Sequence, residues 1–436
     1  MSLRILHTSD WHIGRKLNGI YLGEFQRKFF SDLAQTIDKY KVDVLCVAGD
    51  IFDRSRPADD DLRLFSQFLS DITQKSKVKV CISSGNHDSA ALIEYGRELF
   101  SGRGIYVSSL SEKMLTPVVL RDTRGREYEF YLIPYLDPKT AESIFSVKFE
   151  SQNEIYKYIC SRIQSENKGR SSGTVILVHL FAGGGLESDS ERALVGGLDG
   201  VSTENFSGFS YVAAGHLHRF QAISETVFYS GSPLQYSFSE EFHKKSLWLV
   251  TLNGDEQGRL PLKDQNYLND VNNRVTERIP LPKYYDLTTL RGKLSVLLDE
   301  GEEKYRAGMS PRRQIPEYYK VILEDKVPQI DAVARLKKYY PGLIEFEYGG
   351  NSAKSLGGSS GSPSELSTDM SSDVSFVSRG KELIKDIHRE DFLYRLSKEF
   401  WNSAGEKPFT SKEAEYLKSV FRTSIMEYES SVDRSP

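Results

Sequence analysis

The sequence predicts a layered α/β fold, followed by a small α+β unit and a helical pair on a tether. Three observations lead there. Short β-branched runs alternate with amphipathic stretches through roughly the first 250 residues. Metal-ligand side chains stand where several of those runs end. A Gly/Ser-rich tract then separates the last helical segments from everything before them.

Strands are expected at Leu3–Leu6, Val42–Ala48, Val78–Ser83, Glu129–Pro134, Thr174–Val178, Tyr211–Ala214, Thr226–Tyr229 and Ser246–Leu252, all apolar runs of strand length. Phe25, Phe29, Leu33 and Ile37, four residues apart, mark a helix between the first two. A second unit follows from about Val275 to Tyr348. In it Leu290, Leu294, Leu297 and Leu298 share a helix face, and Tyr318–Glu324 reads as a strand. Pro328 opens a further helix carrying Ile330, Val333 and Leu336, stopped by Pro341-Gly342. Ile344, Phe346 and Tyr348 alternate with glutamates as a half-buried strand. Residues 349–372 have the composition of a flexible linker. Beyond it, one helix presents Leu383, Ile384, Ile387, Phe392, Leu393 and Leu396. Another starts at the capping box Thr410/Glu413 and presents Leu417, Val420, Phe421 and Ile425. So small a pair buries little surface alone, so those apolar faces call for an external surface.

Composition narrows the function. At 436 residues the chain is too long for one core. A hydrophobic share of 39% and a charged share of 27% are those of a soluble globular protein. A net charge of −4 gives no bulk attraction to nucleic acid, so any such contact needs a local basic patch. Cys46, Cys81 and Cys160 are odd in number and widely spaced, which reads as free thiols in a reducing compartment. No run approaches the ~18 apolar residues of a membrane span, and Leu3–Leu6 is too short for a signal core, so a cytoplasmic location is expected.

The chemistry is carried by Asp10-Trp11-His12, Gly49-Asp50 with Asp53, Gly85-Asn86-His87-Asp88, His179 and Gly215-His216-Leu217-His218. Five of the eight histidines sit in these segments. Asp, Asn and His suit a borderline divalent metal such as manganese. In an extended segment, side chains two apart face one way, so Asp10 and His12, and likewise His216 and His218, can each grip one ion. Asp50 can bridge two ions ~3.5–4 Å apart, the arrangement that hydrolyses phosphate esters. Asn86 adds a neutral oxygen and His179 another imidazole. His87, next to a ligand and with Asp88 to orient its ring, fits a group that protonates a leaving oxygen or neutralises phosphate charge. Asp53 serves either the site or its own loop by hydrogen bonding. His7 and His243 fit no motif and read as packing residues. Arg15, Lys16, Arg54, Arg56 and Arg219 flank the motifs, where they either meet DNA or form a solvated rim.

These strings, Thr8-Ser9-Asp10-Trp11-His12-Ile13-Gly14 and Gly49-Asp50-Ile51-Phe52-Asp53 above all, resemble the calcineurin-like metallophosphoesterases, and within them the SbcD-type branch of DNA repair nucleases. The resemblance implies an α/β/β/α sandwich over residues 1–270, a capping domain that contacts DNA over 275–348, and a region over 379–428 that docks on the coiled coil of an SbcC-like ATPase. It implies that Asp10, His12, Asp50 and His218 hold one ion and Asp50, Asn86, His179 and His216 the other. The ions would be two manganese, with magnesium as the substitute, and His87 would be catalytic. The implied activity is that of a duplex 3′–5′ exonuclease and single-strand endonuclease, a homodimer away from membranes, in DNA repair, recombination and replication. The alternative is a phosphoesterase acting on a small nucleotide or phosphoprotein, which would share every ligand.

Overall fold

The computed structural model describes residues 2–166, 171–191, 200–252, 267–271, 274–306 and 315–349. The expected linker beyond Gly349 and the helical pair at 379–428 lie outside the described residues. Two sheets dominate. The first has seven strands in the order Tyr267–Val271, Arg274–Pro280, Ser246–Leu252, Leu3–Thr8, Val44–Ala48, Lys79–Ser83 and Ile105–Val107. The second has six: Gln221–Ala222, Val227–Tyr229, Tyr211–Gly215, Thr174–His179, Glu127–Leu132 and Val118–Arg121.

The central strands read as unbroken apolar runs because both of their faces are covered. Alternation then divides each strand between two cores. Leu6, Leu45, Val47, Val80 and Ile82 face one way, onto Phe29, Leu33 and Ile37 of helix Gly23–Tyr40 and Phe68, Leu69 and Ile72 of helix Asp59–Lys75. Leu3, Ile5, Val44, Cys46 and Cys81 face the other way and meet Phe130, Val175, Leu177 and Ala213 of the second sheet. That sheet turns Ile176, Val178 and Val212 outward to helices Pro138–Phe145 and Gln152–Glu166. The result is the α/β/β/α sandwich. Asp59, Asp60 and Asp61 in the first turn and Lys75 in the last complement the dipole of their helix. All three cysteines are buried and free.

Each expected strand forms, with ends shifted by a few residues. Three expectations are corrected. Arg274–Pro280 pairs antiparallel with Ser246–Leu252 along its full length, so residues expected to start a second unit belong to the first sheet. Arg274 is buried because it lies over the rings of Tyr211 and Phe228 and donates to the carbonyls of Ser210 and Glu225. The helix around Leu294 runs Leu294–Arg306, leaving Leu290 in the preceding strand, and the helix expected from Pro328 begins only at Ala332.

The described residues divide into two compact units, those within 1–290, 299–321 and 333–345 in one, and those within 291–298, 322–332 and 346–349 in the other. Both large sheets lie in the first. Strands Asp286–Gly292, Glu317–Leu323 and Leu343–Tyr348 form a three-stranded sheet in that order. In the second unit Leu294, Leu297 and Leu323 are buried, while Ile330, expected on a packed face, is 85% exposed. Among the described residues no helix is long and apolar enough to cross a membrane.

Candidate metal centre

Strands Leu3–Thr8, Val44–Ala48 and Lys79–Ser83 run parallel to one another, and so do Thr174–His179 and Tyr211–Gly215 in the facing sheet. Their carboxyl ends meet at one edge, where ligands collect in such folds. There the chain turns abruptly. Asp10 (φ 54°), His12 (φ 43°), Asp50 (φ 50°) and His216 (φ 103°) all take left-handed backbone, which Asp and His tolerate better than most residues. Trp11 fixes the first turn. It is buried among Phe29, Phe30, Phe65 and Phe68, so its two neighbours are directed away from the core. Gln26 supports the same loop, donating to the carbonyls of Trp11 (3.1 Å) and His12 (2.7 Å) and accepting from the Gly14 N–H. The loop is tied to the next one by Asp10 N–H to Gly49 O and His12 N–H to Asp50 O, both 3.0 Å.

Seven of the expected ligands converge. The Asp50 carboxylate has one oxygen on the His87 N–H (2.9 Å) and the other 3.4 Å from His179 Nε2 and 3.6 Å from His12 Nε2. Asn86 Oδ1 lies 3.0 Å from His179 Nε2 and 3.3 Å from His216 Nδ1. His12 Nε2 and His218 Nε2 are 3.1 Å apart. Asp10 accepts the His216 N–H at 2.9 Å. Ligand atoms of Asp10, His12 and His218 lie within 4.8 Å of one another, as do those of Asp10, Asp50 and His179.

Charge and tautomer fit a cation here. His179 gives its Nδ1–H to the Ala48 carbonyl (2.9 Å), so its Nε2 faces two acceptors, Asn86 Oδ1 and Asp50 Oδ2. Acceptors gathered like that need a proton or a metal ion among them. With a proton, His179 titrates at about 9: burial alone would lower it, and the Asp50 charge overrides burial. Asp50, in turn, is held well below the usual carboxylate range, as the surrounding imidazoles, His179 foremost, outweigh its burial. Burial raises Asp10 to about 6 and lowers His216 to about 3. His12 is also lowered well below its ordinary value by burial, and its Nδ1 is buried with no hydrogen-bond partner. Neutral imidazoles and a fixed carboxylate are what a divalent ion requires.

Two expectations change at this site. Asp88 does not orient the His87 ring. Its carboxylate instead accepts the backbone N–H groups of Ile51, Phe52 and Gly85 (2.8–3.1 Å), clamping the two ligand loops together. The His87 ring is steadied by the Asp53 carbonyl, 2.9 Å from Nδ1, leaving Nε2 3.9 Å from Asp50. Arg15, expected to face DNA, is half-buried, 2.9 Å from Asp53 Oδ1 and within reach of the Ser190 carbonyl, because Asp53 needs a counter-charge there. Lys16, Arg54, Arg56 and Arg219 are exposed, as a rim contact demands.

Sequence reasoning passed over Gln26, Ser190, Glu240 and Lys245. Glu240 is wholly buried, 3.3 Å from His218 Nδ1 and paired with Lys245. Only the closeness of the Glu240-Glu241 and Lys244-Lys245 pairs to the start of a buried strand could have flagged it.

A family model described as calcineurin-like phosphoesterase matches residues 3–220. The chain is 30% identical over 286 residues to the D component of nuclease SbcCD from Staphylococcus saprophyticus, spanning 64% of this chain and 73% of that one. It is 27% identical over 347 residues to the protein of the same name from Staphylococcus epidermidis, spanning 78% and 84%.

Proposed function

We propose, from the premise that this chain belongs to the calcineurin-like phosphoesterases of the SbcD type, that it is a manganese-dependent DNA nuclease working beside an SbcC-like ATPase. On this reading it degrades duplex DNA from 3′ ends, cuts single strands, and acts on double-strand breaks and hairpins, as a cytoplasmic homodimer. The observation that carries the reading is the gathering of Asp10, His12, Asp50, Asn86, His179, His216 and His218 with their acceptor atoms directed at common points. The chemistry supplied by bound divalent ions is activation of water and neutralisation of phosphate charge. Asp50 holds its carboxylate between the two groups of ligands. His87, its Nδ1–H given to the Asp53 carbonyl, acts as an imidazolium that gives its Nε2 proton to the leaving oxygen and is left neutral. Lys16, Arg54, Arg56 and Arg219 track the DNA backbone.

The test is incubation of the protein with end-labelled duplex and circular single-stranded DNA in manganese, with and without a coiled-coil ATPase of the SbcC type. Release of 3′ nucleotides and nicking of the circle are expected, with ATP-dependent stimulation by the partner. Intact DNA beside rapid hydrolysis of a small phosphodiester would move the assignment to a nucleotide phosphoesterase.

A further inference from the structure

We infer that Glu240 is a positioning residue, which through Ser190 fixes the ring of His218 so that its Nε2 electron pair faces the ion site. Lys245 holds the backbone of the same histidine. The inference rests on the reading of His218 as a metal ligand.

A fully buried carboxylate is costly unless it is paired and hydrogen-bonded. Glu240 is both: within its own loop it accepts the Tyr236 N–H (3.2 Å), and its other partners bear on His218. Ser190 Oγ lies 2.6 Å from His218 Nδ1 and also bonds Glu240 Oε1, which is itself 3.3 Å from Nδ1. An ionised carboxylate can only accept, so the Ser190 hydroxyl donates to Glu240. The remaining lone pair on Oγ must then accept from Nδ1–H. That assigns a proton to Nδ1, so in the neutral ring the electron pair lies on Nε2, which faces His12 Nε2 at 3.1 Å. The second Glu240 oxygen binds the Lys245 ammonium, which also donates to the His218 carbonyl (3.0 Å) and to Ser232 Oγ (2.7 Å). The His218 N–H goes to Glu191 Oε1 at 2.7 Å. Ring, N–H and carbonyl of this one residue are thus all gripped. His179 has its tautomer set by a backbone carbonyl, and His12 Nδ1 has no hydrogen-bond partner. Outer hydrogen bonds of this kind orient metal-binding imidazoles and raise their basicity.

A merely structural Glu240–Lys245 pair would affect melting alone, so the test reads tautomer and ion affinity. In the metal-free full chain, long-range 15N–1H NMR of histidine-labelled protein, assigned with His218→Asn, should find His218 protonated at Nδ1. In Glu240→Gln the two tautomers should mix. The double variant Glu240→Gln/Lys245→Met removes both buried charges at similar volume. It should bind one manganese ion as the wild type does and the other ~10–100-fold more weakly, with a melting temperature close to the wild type. Wild-type affinity for both ions in that variant, or a neutral His218 ring protonated at Nε2 instead of Nδ1 in the wild type, overturns the inference. Should the double variant not fold, the wild-type spectrum decides. Failure of the wild type to bind two ions would instead strike at the ligand reading, and the tautomer would still judge Glu240.

Discussion

At His87 the choice between holding an ion and moving a proton turns on which ring nitrogen is engaged. Nδ1 is taken by the Asp53 carbonyl, and Nε2 is 3.9 Å from Asp50, farther than the imidazoles of His12 and His179. His87→Ala should therefore keep two manganese ions in a calorimetric titration while turnover on DNA drops ~10²–10⁴-fold. Loss of an ion with the activity would make His87 a ligand. A second outcome concerns pH. Below about 9 metal-free His179 carries a proton, because Asp50 outweighs its burial. Manganese must expel that proton, so affinity should fall as pH falls, about tenfold per unit for one proton. The slope should steepen below about 6, where buried Asp10 also takes up a proton. Titrations in buffers of different ionisation enthalpy would count the protons, and a pH-independent affinity would contradict the ligand assignment. The ligand types were legible in the sequence because Asp, Asn and His closing apolar runs leave little other use. What Asp88, Arg15 and Glu240 bond to was not, since it depends on how separate loops lie against each other.

Among the elements, the strand-end glycines set the tightest tolerance. A Cβ on Gly215 would come within 1.8 Å of the Ala48 carbonyl oxygen and 2.8 Å of His179 Nδ1, the two atoms whose bond orients that histidine. Neither can yield, so Gly215→Ala should destabilise by at least the ~1–3 kcal/mol of ordinary overpacking and weaken ion binding as well. A thermal melt with a manganese titration measures both; an unshifted melt would mean the sheets part more easily than this packing implies. The exposed rim makes a separate claim. If Lys16, Arg54, Arg56 and Arg219 neutralise phosphates, DNA affinity should fall with salt by ~0.9 log units per log salt for each. Replacing Arg54 and Arg56 by Ala should flatten that slope by about two such contacts. The strands were legible wherever both faces are apolar. Ile105–Val107 and Val118–Arg121 are too short to stand out, and Arg274–Pro280 is masked by Arg274, whose partners come only from across the fold.

For the molecule as a whole, the tail sequence, expected to form amphipathic helices, would ask for a surface outside itself. Changing Leu417 and Phe421 to Asp should leave manganese-dependent cleavage by the lone protein intact while abolishing co-purification with the ATPase and ATP-stimulated cleavage. Normal co-purification would assign docking elsewhere. The order of strands in the first sheet carries one more consequence. Leu3–Thr8, made before the other strands of that sheet, lies in its interior, with Val44–Ala48 on one side and Ser246–Leu252 on the other. A growing chain on the ribosome therefore holds three of the seven expected ligands early, in Asp10, His12 and Asp50, but meets the His216 N–H that Asp10 accepts only 206 residues later. Until Ser246–Leu252 emerges, the first strand presents an open edge to any passing strand. Assembly of the centre is thus tied to near-completion of the domain, and a nascent fragment has no finished site with which to cut nucleic acid.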